Sequence, residues 1–340
     1  MYLGADISYI NEIEDLGGRY QLHGRETDPF VILQSNGANI ARMRLWHTPT
    51  RTNYSTLTDV EKTIRRAKSA GMKTLLDFHY SDTWADPAKQ HIPAAWLNIA
   101  DTTELAEILY QYTVDTLLHL YQQNLMPDFV QIGNEINTEI LMPTAHVGEA
   151  IRWERNAKLL NAGIRAVKVV NQQMQTAVQS MLHIAQPENL ITWFDDALAA
   201  GVQDFDLIGM SYYPKWSSYS IDIMGKTIQE ARKRYNKALM LVEIAYPWTL
   251  EHYRSKDHLL SHDALLEKYP ATAHGQLQFL TDVTQTVYDN GGIGVVYWEP
   301  AWISTPQKAS IWENSTLFNY ENEIHDGIKF LSHDYSRRAE

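Results

Sequence analysis

Val130-Gln131-Ile132-Gly133-Asn134-Glu135-Ile136-Asn137 is a short apolar run that ends abruptly in Gly-Asn-Glu. Buried strands of parallel sheets read this way, β-branched and uncharged along their length and polar only at the tip. A carboxylate at such a tip is costly unless something there uses it, so the first question is what Glu135 faces. Seven further runs of the same kind flank this one: Leu3–Ile7, Ile40–Leu45, Lys73–Phe78, Thr176–Gln179, Leu207–Ser211, Leu239–Glu243 and Gly294–Trp298. Amphipathic stretches lie between them. Leu105, Leu109, Tyr112, Thr116 and Leu120 fall on one helical face, and Val60, Ile64 and Ala67 on another that a Thr58-Asp59-Val60-Glu61 capping box opens. Gly37, Gly71, Gly201 and Gly291 each follow a periodic stretch and precede a run, the place of a helix C-cap. Eight such βα repeats predict one (β/α)8 barrel domain over residues 1–340, with no Pro-, Gly- or Ser-rich linker to divide it. A doubly wound sheet is the alternative, but no Gly-x-Gly-x-x-Gly follows a run, which counts against a dinucleotide site.

The net charge of −12 argues against nucleic acid or an anionic membrane as partner, since both need clustered Lys and Arg. No window is long and apolar enough for a membrane span. Cys is absent, which excludes disulfides and thiolate metal sites. The expected setting is secreted, cell-surface or periplasmic, with a signal segment removed and Met1 in its place; a cytoplasmic protein is the alternative. A monomer is expected. The unusual feature of the composition is its 19 Tyr and 10 Trp against 8 Phe, an excess of aromatics with a polar edge that suits wet, sugar-like surfaces.

On a barrel, the C-terminal ends of the strands line one shared pocket. Those ends supply Asp6, Arg44, Trp46, Asp77, His79, Asn134, Glu135, Tyr212, Tyr213, Glu243, Trp298 and Glu299. Glu135 and Glu243 end the fourth and seventh runs, three strands apart around the ring, so their side chains approach across the mouth. Two facing carboxylates over an aromatic floor match what glycoside hydrolysis needs: one protonated to serve the leaving oxygen, the other ionised at the anomeric carbon. Arg44 beside the second glutamate would keep that group's pKa down; its bland reading is a salt bridge at the edge of the core. A single strand-end Glu also serves in structural ion pairs, and His79 with Asp77 lacks the spacing of a catalytic metal site, so no metal is expected there. Trp46, Trp84, Trp216, Trp248, Trp298 and Trp302 fall at or just after strand ends, while Trp153 and Trp193 sit in helical patterns and read as core. The long segments 80–101, 246–274 and 300–319 follow the third, seventh and eighth runs and would rise over the same face.

These residues carry a family resemblance. Gly4-Ala5-Asp6-Ile7-Ser8, Arg42-Met43-Arg44-Leu45-Trp46, the stretch Leu76–Pro87 with its His-Tyr-Ser-Asp and Trp-Ala-Asp-Pro, Val130–Asn137, Ile208–Pro214, Val242–Trp248 and Tyr297–Trp302 are similar to motifs of the glycoside hydrolase family 53 endo-β-1,4-galactanases. The resemblance runs from about residue 3 to about residue 330. It implies retaining hydrolysis of β-1,4-galactan in the side chains of pectin, with galactan and galacto-oligosaccharides as partners. Glu135 would be the acid/base and Glu243 the nucleophile. Asn134 would bind the 2-hydroxyl, Tyr212 would hold the nucleophile, and Arg44 and His79 would shape its electrostatics. Trp298 would form the floor, with Asp82, Trp84, Asp86, Lys89 and Trp302 completing the substrate-binding set. A cis Trp298–Glu299 peptide is implied as well. Another β-1,4-glycanase of the same barrel clan, such as a β-mannanase, and a non-catalytic galactan-binding barrel are the competing functions.

The chain departs from the family pattern in two loops. Members that hold calcium do so in a Gly- and Asp-rich loop after the seventh strand; here that loop reads Thr249-Leu250-Glu251-His252-Tyr253-Arg254-Ser255-Lys256-Asp257, so no cofactor is expected. The loop after the eighth run is compact, Ile303–Ile311, which predicts fewer sugars gripped on the non-reducing side and different product lengths.

Overall fold

A computed structural model describes residues 1–144 and 149–336. Eight strands close into a parallel barrel in chain order: β1 Tyr2–Asp6, β2 Ile40–Leu45, β3 Lys73–Phe78, β4 Phe129–Ile132, β5 Gln179–Ala185, β6 Leu207–Ser211, β7 Ala238–Ile244 and β8 Gly294–Trp298. The ring is completed by β1 against β8, with Tyr2 opposite Gly294 and Asp6 opposite Trp298. A short helix α1 (Ile10–Asp15) leads to the outer helices α2 (Pro29–Ser35), α3 (Leu57–Ser69), α4 (Thr102–Gln122), α5 (Trp153–Met174), α6 (Pro187–Ala199), α7 (Ile221–Tyr235) and α8 (Ala273–Asp289), and a 3₁₀ segment, Asp326–Ser332, packs on α8. A hairpin of Gln21–Leu22 and Arg25–Glu26 is pinned by Glu323, whose carboxylate accepts from the backbone N–H of His23 and Gly24.

The expected barrel and seven of its strands are found within a residue or so of their sequence positions. The fifth is displaced: it was expected at Thr176–Gln179 and lies at Gln179–Ala185. Helix α5 continues to Met174 and stops at Gln175 in the left-handed region, so residues 176–178 serve as its exit turn. The cap of α3 is Thr56, whose side chain accepts from the Asp59 N–H, two residues ahead of the capping box read from sequence. The expected core faces are buried, including Val60, Ile64 and Ala67 on α3 and Leu105, Leu109, Thr116 and Leu120 on α4. The described residues contain no cis peptide bond, so Trp298–Glu299 is trans, and Glu299 has a φ of 51°.

The barrel interior is layered. Ile40, Leu75, Phe129, Met181, Leu207, Met240, Val242 and Val296 form an apolar plug. Side chains two residues further along a strand share its interior face, and there the residues are Arg42, Asp77, Gln131, His183 and Gly209. Every side chain of this second layer is buried, so each polar group needs a partner inside the ring.

Candidate active site

Arg42 stands at the centre of the polar layer. Its Nε donates to Gln131 Oε1 at 2.7 Å, its Nη1 to Asp6 Oδ2 at 2.6 Å, and its Nη2 to Asp77 Oδ2 at 2.8 Å and Asn134 Oδ1 at 2.7 Å. Nη1 also lies 3.0 Å from Glu243 Oε1. Burial disfavours the guanidinium charge, and Asp77, Glu243 and Asp6 more than offset it, so Arg42 is held cationic.

Glu135 reaches the mouth through a backbone turn. Gly133 has a φ of 87°, where a Cβ would meet the Ile136 side chain at 2.5 Å, and Glu135 itself has a φ of 45°. Its Oε1 accepts from Ser211 Oγ at 2.7 Å. Glu243 arrives by a different device. Met240 and Val242 already face inward, so strict alternation would turn Glu243 toward the helices. The register of β7 shifts against both neighbours, between Met210 and Ser211 on one side and between Val295 and Tyr297 on the other. The extra residue of this irregularity brings Glu243 to the interior as well. Its Oε2 accepts from Tyr213 Oη at 3.1 Å.

A carboxylate oxygen of Glu135 lies within 4.8 Å of one of Glu243. Burial pushes Glu135 up to about 7, against the Ser211 hydrogen bond that favours its ionised form. Burial also pushes Glu243 up, opposed by Arg42 and reinforced by Glu135. Two buried carboxyls this close do not ionise together easily, and they titrate as a pair. Among the described residues only Glu243 has a cation in contact, so the single charge of the pair resides there and the proton on Glu135.

The two carboxyls open into a cavity of about 680 Å³ that Trp84, Asp86, Lys89, Asn134, Trp298 and Trp302 also line, all of them in the set named from sequence. The rings of Trp298 and Trp84 are tilted by 53° with centroids 5.8 Å apart. Asn134 is fixed by Arg42 on its oxygen and donates through its amide nitrogen to the Ala85 carbonyl. His79 lies beneath the cavity, its Nε2 3.1 Å from Asp77 Oδ2 and its Nδ1 accepting from Trp46 Nε1 and the Ala85 N–H, so it reaches Glu243 only through Asp77 and Arg42.

Two expectations are corrected. Arg44 does not touch Glu243: its Nη1 pairs with Glu299 Oε1 at 2.8 Å, and its guanidinium lies over the rings of Tyr9 and Trp84. Arg42 takes that role, because both arginines of Arg-Met-Arg face inward and the deeper one reaches the pair. Tyr212 does not hold the nucleophile either; its hydroxyl donates to the Tyr219 carbonyl, and Tyr213 makes the contact. Asp82 lines a neighbouring depression of about 500 Å³ with Arg44, Trp46 and Trp84, where it accepts from the N–H groups of Thr48 and Ala94. Of the other tryptophans, Trp248 packs on Tyr320 away from the cavity, and Trp153 and Trp193 pack on each other as core. Trp216, one of the six tryptophans expected at the strand ends, lines the cavity, and so does Trp312, which the sequence reading does not name. Arg42, Gln131, His183 and Ser211 were missed as well. The available signal was a polar side chain inside or at the end of an otherwise apolar strand; for His183 it was hidden by the misplaced fifth strand.

The chain matches the family model described as "Glycosyl hydrolase family 53" over residues 2–331. The chain belongs to glycosyl hydrolase family 53. It is 48% identical, over its full length and 92% of the relative, to a Cellvibrio japonicus arabinogalactan endo-beta-1,4-galactanase. It is 33% identical to the Humicola insolens arabinogalactan endo-beta-1,4-galactanase, over 93% of this chain and 94% of the relative. Among solved structures, the Ignisphaera aggregans GH53 catalytic domain superposes with a TM-score of 0.87 at 32% identity, over 96% of this chain and 94% of that one.

By distance alone Glu135, His183 and Glu243 could hold a metal ion, but both His183 nitrogens already take part in protein hydrogen bonds, as does Glu135 Oε1. The loop after β7 does not suit a cation. The backbone N–H groups of Tyr253, Arg254 and Ser255 converge on the Glu313 carboxylate, which also accepts from Ser304 Oγ. That polarity fits an anion, which Glu313 supplies from within the chain.

Proposed function

We propose that this family 53 chain is a retaining endo-β-1,4-galactanase acting on the galactan and arabinogalactan side chains of pectin, with Glu135 as acid/base and Glu243 as nucleophile. The observation that carries this reading is the approach of the two carboxyls within 4.8 Å. Retaining glycosidases hold their carboxyls about 5–5.5 Å apart, whereas inverting enzymes need about 6.5–9.5 Å to admit a water. Glu243 attacks the anomeric carbon as Glu135 gives its proton to the departing glycosidic oxygen, and a galactosyl ester forms on Glu243. The ionised Glu135 then takes one proton from water as the water oxygen displaces Glu243 with a second inversion, which leaves Glu135 protonated and Glu243 ionised for the next cycle. In this reading Asn134, held by Arg42 and Ala85, binds the sugar 2-hydroxyl. The rings of Trp84, Trp298 and Trp302 suit the apolar CH face of a sugar. These steps require no cofactor. The polymeric substrate favours action outside the cytoplasm, and among the described residues no helix is long and apolar enough to cross a membrane.

Reducing-sugar release from linear β-1,4-galactan but not β-mannan is the expected result, with the first-formed product in the β configuration by NMR. An α first product would reject retention, and preference for mannan would favour the broader β-glycanase reading. Binding of galactan without turnover would favour the non-catalytic barrel.

A further inference from the structure

Hydrogen-bond direction can be followed from one obligate donor to the acid/base. The Nε–H of Arg42 can only donate, so it fixes the oxygen of the Gln131 amide toward itself. The Gln131 Nε2 must then face the other way, where it lies 3.0 Å from Asp77 Oδ1 and 3.1 Å from His183 Nδ1. The backbone N–H of Glu135 also points at His183 Nδ1, at 3.3 Å. Asn134 Oδ1, which accepts from Arg42, also lies 3.0 Å from Nδ1 and is the one acceptor there, set against the two N–H donors of Gln131 and Glu135. Two fixed N–H donors aimed at Nδ1 leave it bare. Burial pushes the ring well below its ordinary pKa, so His183 is neutral and its one proton sits on Nε2. That proton faces Ser211 Oγ at 2.8 Å, and the hydroxyl, filled on that side, directs its own proton to Glu135 Oε1 at 2.7 Å.

We propose that His183 and Ser211 are positioning residues for the acid/base: a one-way chain from Arg42 through Gln131, His183 and Ser211 reserves Glu135 Oε1 as an acceptor and leaves the transferable proton on Oε2. The proposal rests on the reading of Glu135 as acid/base. Among the described residues no group hydrogen-bonds Oε2, which stays open toward the cavity. The guanidinium that contacts the nucleophile through Nη1 thus also orders, through Nε, the proton positions at the other carboxyl. The donor at Oε1 favours the ionised form of Glu135, so it eases deglycosylation, in which Glu135 acts as base. The charged and titratable groups facing Glu135 are His183 on β5, Glu243 and Arg42 across the ring, Asp77 on β3, and Asp86 and Tyr213 on the loops.

Neutron diffraction from the intact wild-type protein at neutral pD is expected to place deuterium on His183 Nε2 and between Ser211 Oγ and Glu135 Oε1. Deuterium on His183 Nδ1 overturns the proposal. In kinetics on galactan, Ser211→Ala is expected to move the basic limb of kcat/KM upward by about one pH unit, the loss of one hydrogen bond to a charged group. Ser211→Thr, which keeps the hydroxyl, is expected to restore the limb. A Ser211→Ala limb that stays or falls overturns the proposal, since a structural role alone lowers activity at every pH without moving it. In the Ser211→Ala background, Gln131→Leu is expected to add no further limb shift, and an additional shift breaks the chain. Undiminished turnover by Glu135→Gln would reject the acid/base assignment while leaving the neutron result to decide the proton order.

Discussion

The two ends of the barrel are built from the same strands and do opposite work. Toward the N-terminal end, Ile40, Leu75, Phe129, Met181 and their neighbours make a plug that needs only to be apolar and the right size. Two residues further along, Arg42, Asp77, Gln131 and His183 form a network in which each donor has one place to point. The plug tolerates a change of shape at a cost in packing, whereas the network does not tolerate a missing partner, because what remains is a buried charge. Stability and catalysis are therefore separable along the barrel axis, and substitutions at the two levels should report it.

The largest effect is expected at the carboxyls. Glu243→Gln should lower kcat on galactan by more than about 10⁴-fold with the fold intact by circular dichroism. Wild-type-like turnover would remove Glu243 from the site. Next is a matched pair, Arg42→Met and Leu75→Ala. The first strands Asp6 and Asp77 and should cost about 3–5 kcal/mol in denaturant unfolding as well as nearly all activity. The second should cost about 2–5 kcal/mol of packing while leaving kcat and its pH profile unchanged. Equal catalytic losses in the pair would erase the distinction between the layers.

A sharper contrast lies within one dipeptide. Tyr213→Phe removes the hydroxyl at Glu243 and should lower kcat/KM about tenfold or more, whereas Tyr212→Phe, whose partner is the Tyr219 carbonyl, should leave the kinetics unchanged. The acid/base adds a pH signature. With Glu135 raised to about 7, activity should fall as pH rises through that value. In the unfolded chain the same carboxyl loses its proton near the ordinary Glu value, so between there and about 7 the folded state binds the extra proton. Stability therefore declines with rising pH across that window, and Glu135→Gln should have a higher Tm than wild type at pH 8 with little difference at pH 4. The smallest effect concerns the compact loop 303–311: products from long galactan should be shorter than those of a family member with a longer loop there, and identical chromatograms would set that expectation aside.

The sequence made the barrel legible because seven of its strands are short runs dense in apolar residues and four of the runs follow a helix-ending glycine. It made Glu135, Glu243, Asn134, Trp84 and Trp298 legible because strand tips point to one mouth. What it hid depended on register. The inward turn of Glu243 is a one-residue irregularity that no periodicity announces, and the choice between Arg42 and Arg44, or Tyr212 and Tyr213, is a choice of depth or facing that neighbouring strands decide. His183 lies outside the expected fifth run, Thr176–Gln179, because the helix before it ends at Gln175, a left-handed cap without glycine, and the strand starts only at Gln179.

The pairing of Tyr2 with Gly294 has a consequence for how the molecule is made. The ring shuts between strands at nearly opposite ends of the chain, a contact of very high sequence separation and hence a slow one. At a synthesis rate of about 5–20 residues per second, the first strand emerges on the order of tens of seconds before its partner. Until then β1 has an open edge, and Asp6 and Arg42 meet water rather than each other's enclosed neighbours. The acid/base strand is already translated by that stage, but the low-dielectric chamber that raises its carboxyl arrives only with β8, so competence appears late and all at once.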